Sequence, residues 1–299
     1  MSGEAEQRVV AEVRRVTFAG LGVNLGLCAL KFVIGIIGAS QALVADAVHS
    51  LSDSLTDITV YFGAGFWSAP PDEEHPHGHA RIETLITSFI GITLGVIGGI
   101  LVYKAVVALH QQRVSSPGWS AFAAACLSIA VKEWLYRWNV RVGRRLKSSA
   151  LLANAWHHRS DAFSSLPVAL AVLGTRIRPD WGFLDDVATV VVGVLVLYAS
   201  WQIVIPAFRQ LIDSGAAVHE RAQILAIARD VPGVREVHAL RTRYIGPGLQ
   251  ADLHVLVDPD LSVREGHQIA TAVTNILLEQ GPDIVDALVH IEPFEDENP

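Results

Sequence analysis

Cysteine and clustered basic charge are scarce in this 299-residue chain, and each scarcity excludes a class of protein. The two cysteines, Cys28 and Cys126, lie far apart in apolar runs, so neither a disulfide framework nor a thiolate metal site is predicted. No segment is basic enough for a nucleic-acid-binding face. The polar N-terminus "MSGEAEQRVVAEVRRVTF" lacks the short apolar region and cleavage site of a secretory signal peptide.

Hydrophobic residues are abundant, at 51% of the chain, but they are unevenly distributed. The segment 214–299 carries 14 acidic and 6 basic residues in a pattern that is typical of soluble domains. Because the whole chain has a formal net charge of −7, the first 213 residues are close to neutral. We therefore predict a membrane domain over 1–213 and a separate soluble domain over 214–299.

Six apolar runs in the first domain approach the length of about 20 residues that is needed to cross a bilayer. They lie at about 16–37, 42–66, 82–109, 118–137, 151–174 and 183–206. The fourth run is weakened by Lys132 and Glu133, and the fifth is interrupted by Asp161 and Pro167. A large soluble helical protein is the alternative, but its buried helices would be shorter.

The positive-inside rule predicts the orientation of these spans. With the N-terminus inside, nine basic residues fall on inner segments: Arg8, Arg14, Arg15, Arg81, Arg137, Arg141, Arg144, Arg145 and Lys147. Three fall on outer loops: Arg113, Arg176 and Arg178. This asymmetry predicts an integral membrane protein, in an inner or plasma membrane, with both termini in the cytoplasm.

The segment after Asp213 changes to the alternation and punctuation of a small α+β domain. "HERAQILAIARDV" predicts a helix, "VREVHALRTRYI" and "LQADLHVLVDP" predict strands on either side of a "GPG" turn, "VREGHQIATAVTNILLEQ" predicts a helix, and "IVDALVHIEP" predicts a last strand. The predicted fold is therefore six transmembrane helices followed by a cytoplasmic αββαβ domain, with helices on one face of a mixed sheet.

Two spans carry a histidine and an aspartate four residues apart, a spacing that places both on one helix face. The second span has His49 and Asp53, and the fifth has His157 and Asp161. Together they offer two imidazoles and two carboxylates, a set that suits tetrahedral Zn²⁺. The alternative is polar packing between helices. Ionisable groups inside a membrane usually mark ion pathways, so we favour a transport site.

Three further polar residues in the spans are assigned supporting roles. Asp46 lies on the same broad face of the second span as His49, one turn toward its outer end. We expect it to support the ligands or helix packing rather than to bind metal. Asn24 and Asn154 are interpreted as hydrogen-bonding partners between helices or as support for the ligands.

The stretches "ADAVHSLSD" and "HHRSDAFSS", together with six spans and the cytoplasmic domain, resemble the cation diffusion facilitator family over nearly the whole chain. The resemblance implies a ferredoxin-like cytoplasmic domain, a homodimer, and export of a divalent metal in exchange for protons. Some bacterial members carry Asp where this chain has His49. The version with two histidines and two aspartates implies a preference for zinc.

The resemblance also implies further sites outside the spans. It assigns a loop metal site to Asp72, His75 and His79, although a weak metal-capturing or merely solvated loop is the alternative. It assigns a regulatory zinc site in the cytoplasmic domain to His238, His254, His267, His290 and Glu292. The alternative is that these histidines are structural. One member of the family has Asp where Glu292 stands. Arg81 and Asp213 match the positions of a Lys–Asp interlock of the family. The alternative is that they are a positive-inside anchor and an unrelated acid at a helix end.

Two function classes compete with a transporter. An intramembrane metalloenzyme would need an open metal position and a general base, yet the chain has no HExxH motif and four protein ligands would close the site. A membrane-anchored metal sensor would leave the ligands inside the spans unexplained. We therefore predict a transporter rather than an enzyme, with metal, protons, lipid and a second copy as partners and no organic cofactor. Zn²⁺ is preferred, and Fe²⁺, Mn²⁺, Co²⁺ and Cd²⁺ stay open.

Overall fold

The computed structural model of the protein describes residues 3–67, 69–112, 115–146, 148–246 and 248–295. Their helices are α1 Gly3–Ile37, α2 Gln41–Trp67, α3 Arg81–His110, α4 Trp119–Leu146, α5 Ser149–Ser164, α6 Leu166–Ile177, α7 Phe183–Leu211, α8 Val218–Arg229 and α9 Val263–Gln280, with a short 3₁₀ turn at Pro179–Trp181. Their strands are β1 Glu236–Ile245, β2 Gly248–Val257 and β3 Ile284–Pro293. The chain divides into a helical unit of residues up to 64 with 89–204, and a second unit of 65–88 with 205–299.

Three helical stretches of the described chain are long and apolar enough to cross a membrane by length and composition. They are Ala11–Ile37, Arg81–His110 and Pro179–Leu211. The other predicted spans fall short of these criteria. α2 and α4 carry several ionisable residues, and α5 and α6 have only 16 and 12 residues. α4 also continues to Leu146, beyond the predicted end of the fourth span.

The fifth predicted span is divided into two helices at Ser165. Pro167 stands in the first turn of α6, where its missing N–H group is tolerated. In an unbroken helix its ring would clash with the carbonyl of Phe163. The break leaves Ser164 and Ser165 buried at the end of α5, where their hydroxyl groups are available to another helix.

Small residues pack the helical unit closely. Ala42 and Ala45 of α2 contact the same core as Ala121 and Ala125 of α4, and these side chains are fully buried. Such residues allow the backbones of membrane helices to approach each other. At Gly91 of α3 an added Cβ atom would lie only 2.6 Å from Val204 of α7, so this contact requires glycine.

The start of α2 is fixed by a carboxylate from another helix. Asp185 of α7 accepts hydrogen bonds from the hydroxyl of Ser40 at 2.6 Å and from the backbone N–H of Gln41 at 2.8 Å. The first N–H groups of a helix have no partner within that helix, so this carboxylate satisfies one of them. The cap orients α2, which carries the first predicted ligand pair.

Residues 218–293 of the second unit have the predicted αββαβ order. β1 pairs antiparallel with β2, and β2 pairs parallel with β3, which makes the sheet mixed. Val255 of β2 packs with Ile224 of α8 and Leu277 of α9 in one core. Alternate residues of β2 therefore face the helices, and His254 faces the opposite side of the sheet.

Leu277 tests the stability of this core because it is fully buried, whereas its neighbour Leu278 is 44% exposed. Leu277→Ala should lower the free energy of unfolding of the αββαβ domain by about 2–5 kcal/mol, because it removes buried methyl groups and leaves a cavity. Leu278→Ala is the matched control and should change it by about 0.5 kcal/mol or less. Hydrogen exchange of the strand amides in urea, measured on the whole protein, would show the difference; equal effects would contradict the packing.

Candidate metal centre

Two helices of the helical unit bring ligand-type atoms together. His49 and Asp53 lie one turn apart on α2, and Asp161 lies near the end of α5. One ligand atom from each of these residues lies within 4.8 Å of the others. We call His49, Asp53 and Asp161 the membrane cluster.

His157, the fourth predicted ligand, lies beside this cluster but outside that set. Its Nδ1 atom is 3.6 Å from Asp161 Oδ1, one turn away on α5, and its side chain is 43% exposed. All four side chains line one cavity of about 780 Å³. The structure therefore brings His157 to the cavity of the cluster but not into the group of ligand atoms that lie within 4.8 Å of one another.

The membrane cluster contains buried polar atoms that lack hydrogen-bond partners among the residues that the structure describes. They are His49 Nδ1, Asp53 Oδ2 and Asp161 Oδ2. Buried polar atoms are normally paired, because leaving them unpaired destabilises the fold. Three such atoms that converge on one cavity fit a site for a cation better than a packing contact.

The residues with predicted supporting roles differ in their surroundings. Asp46 is fully buried, contacts Lys31 Nζ at 2.9 Å, and accepts hydrogen bonds from the hydroxyls of Ser164 at 3.0 Å and Ser165 at 2.6 Å. It thus ties α2 to α1 and to the break between α5 and α6. Asn154 of α5 donates a hydrogen bond from Nδ2 to Asn139 Oδ1 of α4 at 3.5 Å, so it joins two helices as predicted.

Asn24 has no such contact among the residues that the structure describes. It is buried on α1, and its side-chain oxygen has no hydrogen-bond partner in the described part of the chain. The predicted role of Asn24 in bonding two helices therefore receives no support from its described contacts.

The second group of ligand-type residues lies in the loop between α2 and α3, within the second unit. Asp72 Oδ2 is 3.4 Å from His79 Nε2, and Asp72 Oδ1 is 3.5 Å from His75 Nδ1. The backbone N–H of His75 also donates to Asp72 Oδ1 at 2.6 Å. This hydrogen bond is the main reason that the pKa of the Asp72 carboxyl is lowered. Asp72, His75 and His79 are termed the loop cluster.

The predicted pairing of Arg81 with Asp213 is present. Arg81 Nη2 lies 2.6 Å from Asp213 Oδ1, and both side chains are about half exposed. Next to it, Thr84 of α3 donates a hydrogen bond to Gln210 of α7 at 2.8 Å. The two contacts join the start of α3 to the end of α7.

The third group lies on the open face of the sheet. The strand register aligns His238 with His254, and His254 with His290, in one row across the three strands. Glu292 reaches back to this row, with carboxylate oxygens 2.8 Å from His238 Nε2, 2.8 Å from His254 Nδ1 and 3.6 Å from His290 Nε2. The hydrogen bond with His238 is the main cause that lowers the pKa of Glu292.

We call His238, His254, His290 and Glu292 the sheet cluster. Ligand atoms of His238, His254 and Glu292 lie within 4.8 Å of one another. The side chain of Glu292, which is longer than that of an aspartate, therefore reaches all three histidines of the row. The structure does not bring His267 to this cluster. It is an exposed residue on α9, which packs against the opposite face of the sheet.

Comparison with protein families agrees with this arrangement of helices and sheet. Residues 17–212 match the family model described as the cation efflux transmembrane domain. Residues 218–294 match the model described as the cation efflux protein cytoplasmic domain. The chain belongs to the cation diffusion facilitators. It is thus a membrane protein of a family that transports divalent metal cations.

Several relatives of this cation diffusion facilitator are similar over most of its length. The manganese efflux system protein MneP of Bacillus subtilis is 30% identical over 291 residues, covering 95% of this chain and 97% of the relative. The magnetosome protein MamM of Paramagnetospirillum magneticum is 32% identical, covering 87% and 82%. Metal tolerance protein C1 of Arabidopsis thaliana is 30% identical, covering 96% of this chain and 64% of the plant protein.

Two buried lysines of this cation diffusion facilitator were not assigned a role from the sequence. Lys31 on α1 and Lys132 on α4 are almost completely buried beside the membrane cluster. Lys132 Nζ lies 3.3 Å from Asp161 Oδ2, an ion pair without hydrogen-bond geometry. The signal in the sequence is a lysine inside each of two apolar runs, Lys31 in the first and Lys132 in the fourth.

The lowered pKa of Asp72 predicts how this facilitator's loop responds to acid. A carboxyl whose pKa is lowered by folding stabilises the folded turn above its unfolded pKa of about 3.9. That contribution is lost as the pH falls through the lower, folded pKa. In ¹³C NMR titrations, Asp72 should therefore titrate at a lower pH in the protein than in a peptide of residues 69–80. Equal midpoints would show that the His75 hydrogen bond does not form.

Proposed function

We propose that this protein exports Zn²⁺ from the cytoplasm in exchange for protons, with His49, Asp53, His157 and Asp161 as the transport site. The observation that carries the proposal is that His49, Asp53 and Asp161, from two helices, bring ligand atoms within 4.8 Å of one another at one cavity. Each of these residues also has a buried polar atom without a hydrogen-bond partner in the described chain. A bound dication would satisfy these atoms and neutralise the two carboxylates.

The ligand chemistry supports zinc as the substrate, and His157 decides between zinc and its main competitor. With His157 included, the set has two imidazoles and two carboxylates, a combination that is suited to tetrahedral Zn²⁺. Without it, one imidazole and two carboxylates give an oxygen-rich set that suits Mn²⁺ better. Manganese is the second candidate substrate, because the relative MneP is a manganese efflux system protein.

Proton exchange follows from the ligands themselves. Imidazole and carboxylate bind a metal only when they are deprotonated, so metal binding releases protons and protonation releases metal. Alternating exposure of the cluster to the two sides of the membrane would convert this competition into antiport. We further propose six spans with both termini in the cytoplasm, which the positive-inside asymmetry supports.

The second unit is proposed to form the dimer and to bind regulatory zinc. Its match to a cytoplasmic cation-efflux domain supports this assignment, as does the row of three histidines bridged by Glu292. Zinc would regulate transport only by binding more tightly to one state of the transport cycle. The Arg81–Asp213 ion pair is proposed as the link between α3 and α7 that withstands this motion.

Zinc transport should depend on the membrane cluster. In proteoliposomes with an acidic lumen, Asp53→Asn should lower the rate of zinc entry at least about 100-fold, since losing even an outer partner of a ligand costs up to about that much affinity. His110→Ala removes an exposed histidine at the end of α3 and should leave the rate unchanged. Zinc entry at the wild-type rate in the Asp53 variant would overturn the proposal.

The same assay separates the competing functions. His157→Ala should reduce zinc entry more than manganese entry if His157 is a zinc ligand. Unchanged entry of both metals would show that His157 is not a ligand and would favour manganese as the substrate. An absence of flux of either metal, with zinc still bound by the second unit, would favour a membrane-anchored sensor. Zinc-dependent hydrolysis without flux would favour a metalloenzyme.

The sheet cluster predicts which histidine of the second unit matters for zinc binding. His254 stands at the centre of the row, so His254→Ala should remove one zinc ion per chain from the whole protein. His267→Ala deletes the same side chain on the opposite face of the sheet and should leave the zinc count unchanged. Calorimetric titration measures both, and an equal loss in the two variants would contradict the cluster.

A further inference from the structure

A buried cation lies against the proposed transport site, and it is attached to the protein. Lys132 is 1% exposed on α4, and its ammonium group is 3.3 Å from Asp161 Oδ2. Its other described contact is the hydroxyl of Ser50 on α2, at 3.4 Å. A buried ammonium group needs an opposite charge, and here that charge belongs to a carboxylate of the membrane cluster.

The second buried lysine of this region has a carboxylate of its own. Lys31 contacts Asp46 at 2.9 Å and also donates hydrogen bonds to Ser50 at 2.9 Å and Ser165 at 3.1 Å. Lys31 and Asp46 therefore form an ion pair with each other. The ion pair of Lys132 is with Asp161, so its charge acts directly on the membrane cluster.

The charged side chains at the membrane cluster determine how favourably a metal ion binds there. With neutral histidines, Asp53 and Asp161 contribute two negative charges and Lys132 contributes one positive charge. A dication that binds Asp161 must displace or approach the Lys132 ammonium group, and the two cations repel each other across a buried, weakly screened region. A monovalent ion gains less from the two carboxylates and meets the same opposing charge.

We propose that Lys132 is a tethered competitor of the metal, which occupies Asp161 when the site is empty and limits the affinity of the site for the dication. This inference rests on the proposed function, because it assigns a positioning residue to that transport site. A site that binds its substrate too tightly releases it slowly. Lys132 would thus lower the affinity for the metal and raise the rate of its release. When the metal displaces the Lys132 ammonium group from Asp161, the hydroxyl of Ser50 offers that group a contact.

The test is Lys132→Met in the full-length protein in proteoliposomes. Removing the charge should lower the KM for zinc about tenfold or more, as a nearby like charge changes the affinity for a cation by about that factor or more. The maximal rate of zinc entry should fall at the same time, because release becomes slow. A residue that only supports the fold would not produce a lower KM. Lys104→Met, which removes an exposed ammonium group from α3, is the charge control and should change neither value.

Three outcomes overturn the inference: an unchanged KM, a raised KM, or a lowered KM with an undiminished maximal rate. If Lys132→Met does not fold, Lys132→Arg decides, because it keeps the charge and should keep the KM within about twofold of wild type. A KM that falls tenfold or more in this variant contradicts a role for the charge.

Zinc binding in detergent separates this inference from the proposed function. It is measured by calorimetry on proteins that also carry His254→Ala, and the heat of an Asp53→Asn version is subtracted. Tighter zinc binding in the Lys132→Met protein supports the tethered cation even if no protein transports zinc. Wild-type transport with equal zinc affinity in the Lys132 variant leaves the transporter intact and removes the inference.

Discussion

The buried ion pair between Lys31 and Asp46 joins four helical segments at one point. Lys31 comes from α1, Asp46 from α2, and the two serines that bond to them come from the end of α5 and the start of α6. A charge left alone in such a place destabilises a fold by about 3–5 kcal/mol, so the partners must stay together. His49 and Asp53 follow Asp46 on α2, and Asp161 precedes the serines on α5. Their approach depends on this pair.

The break in the fifth span supports the same ion pair. An unbroken helix would use its backbone hydrogen bonds internally and would direct Ser164 and Ser165 according to helix geometry alone. Pro167 ends α5, and the hydroxyls of Ser164 and Ser165 then reach Asp46. The proline that weakens the apolar run thus supplies the hydrogen bonds that make a fully buried carboxylate tolerable. The predicted ligand pair on α5, His157 and Asp161, lies directly before this break.

Periodicity and spacing predicted much of this arrangement, and the remainder depended on distances between segments. The αββαβ order followed from local patterns, and the spacing of His49 and Asp53 placed them on one face of α2. The strand register that aligns His238, His254 and His290 could not be derived from any one strand. The position of His267, on the side of the sheet opposite to the sheet cluster, is evident only from the packing of α9 against the sheet. The role of Lys132 depends on its ion pair with Asp161, which lies 29 residues away on another helix.

The central claim is that a divalent metal binds where α2 meets α5, and diffraction at the zinc absorption edge tests it most directly. Crystals of the whole protein grown with zinc should show an anomalous peak about 2.0–2.2 Å from ligand atoms of His49, Asp53 and Asp161, with His157 turned toward it. Peaks confined to the loop and sheet clusters at saturating zinc, with none at the membrane cluster, would contradict the account.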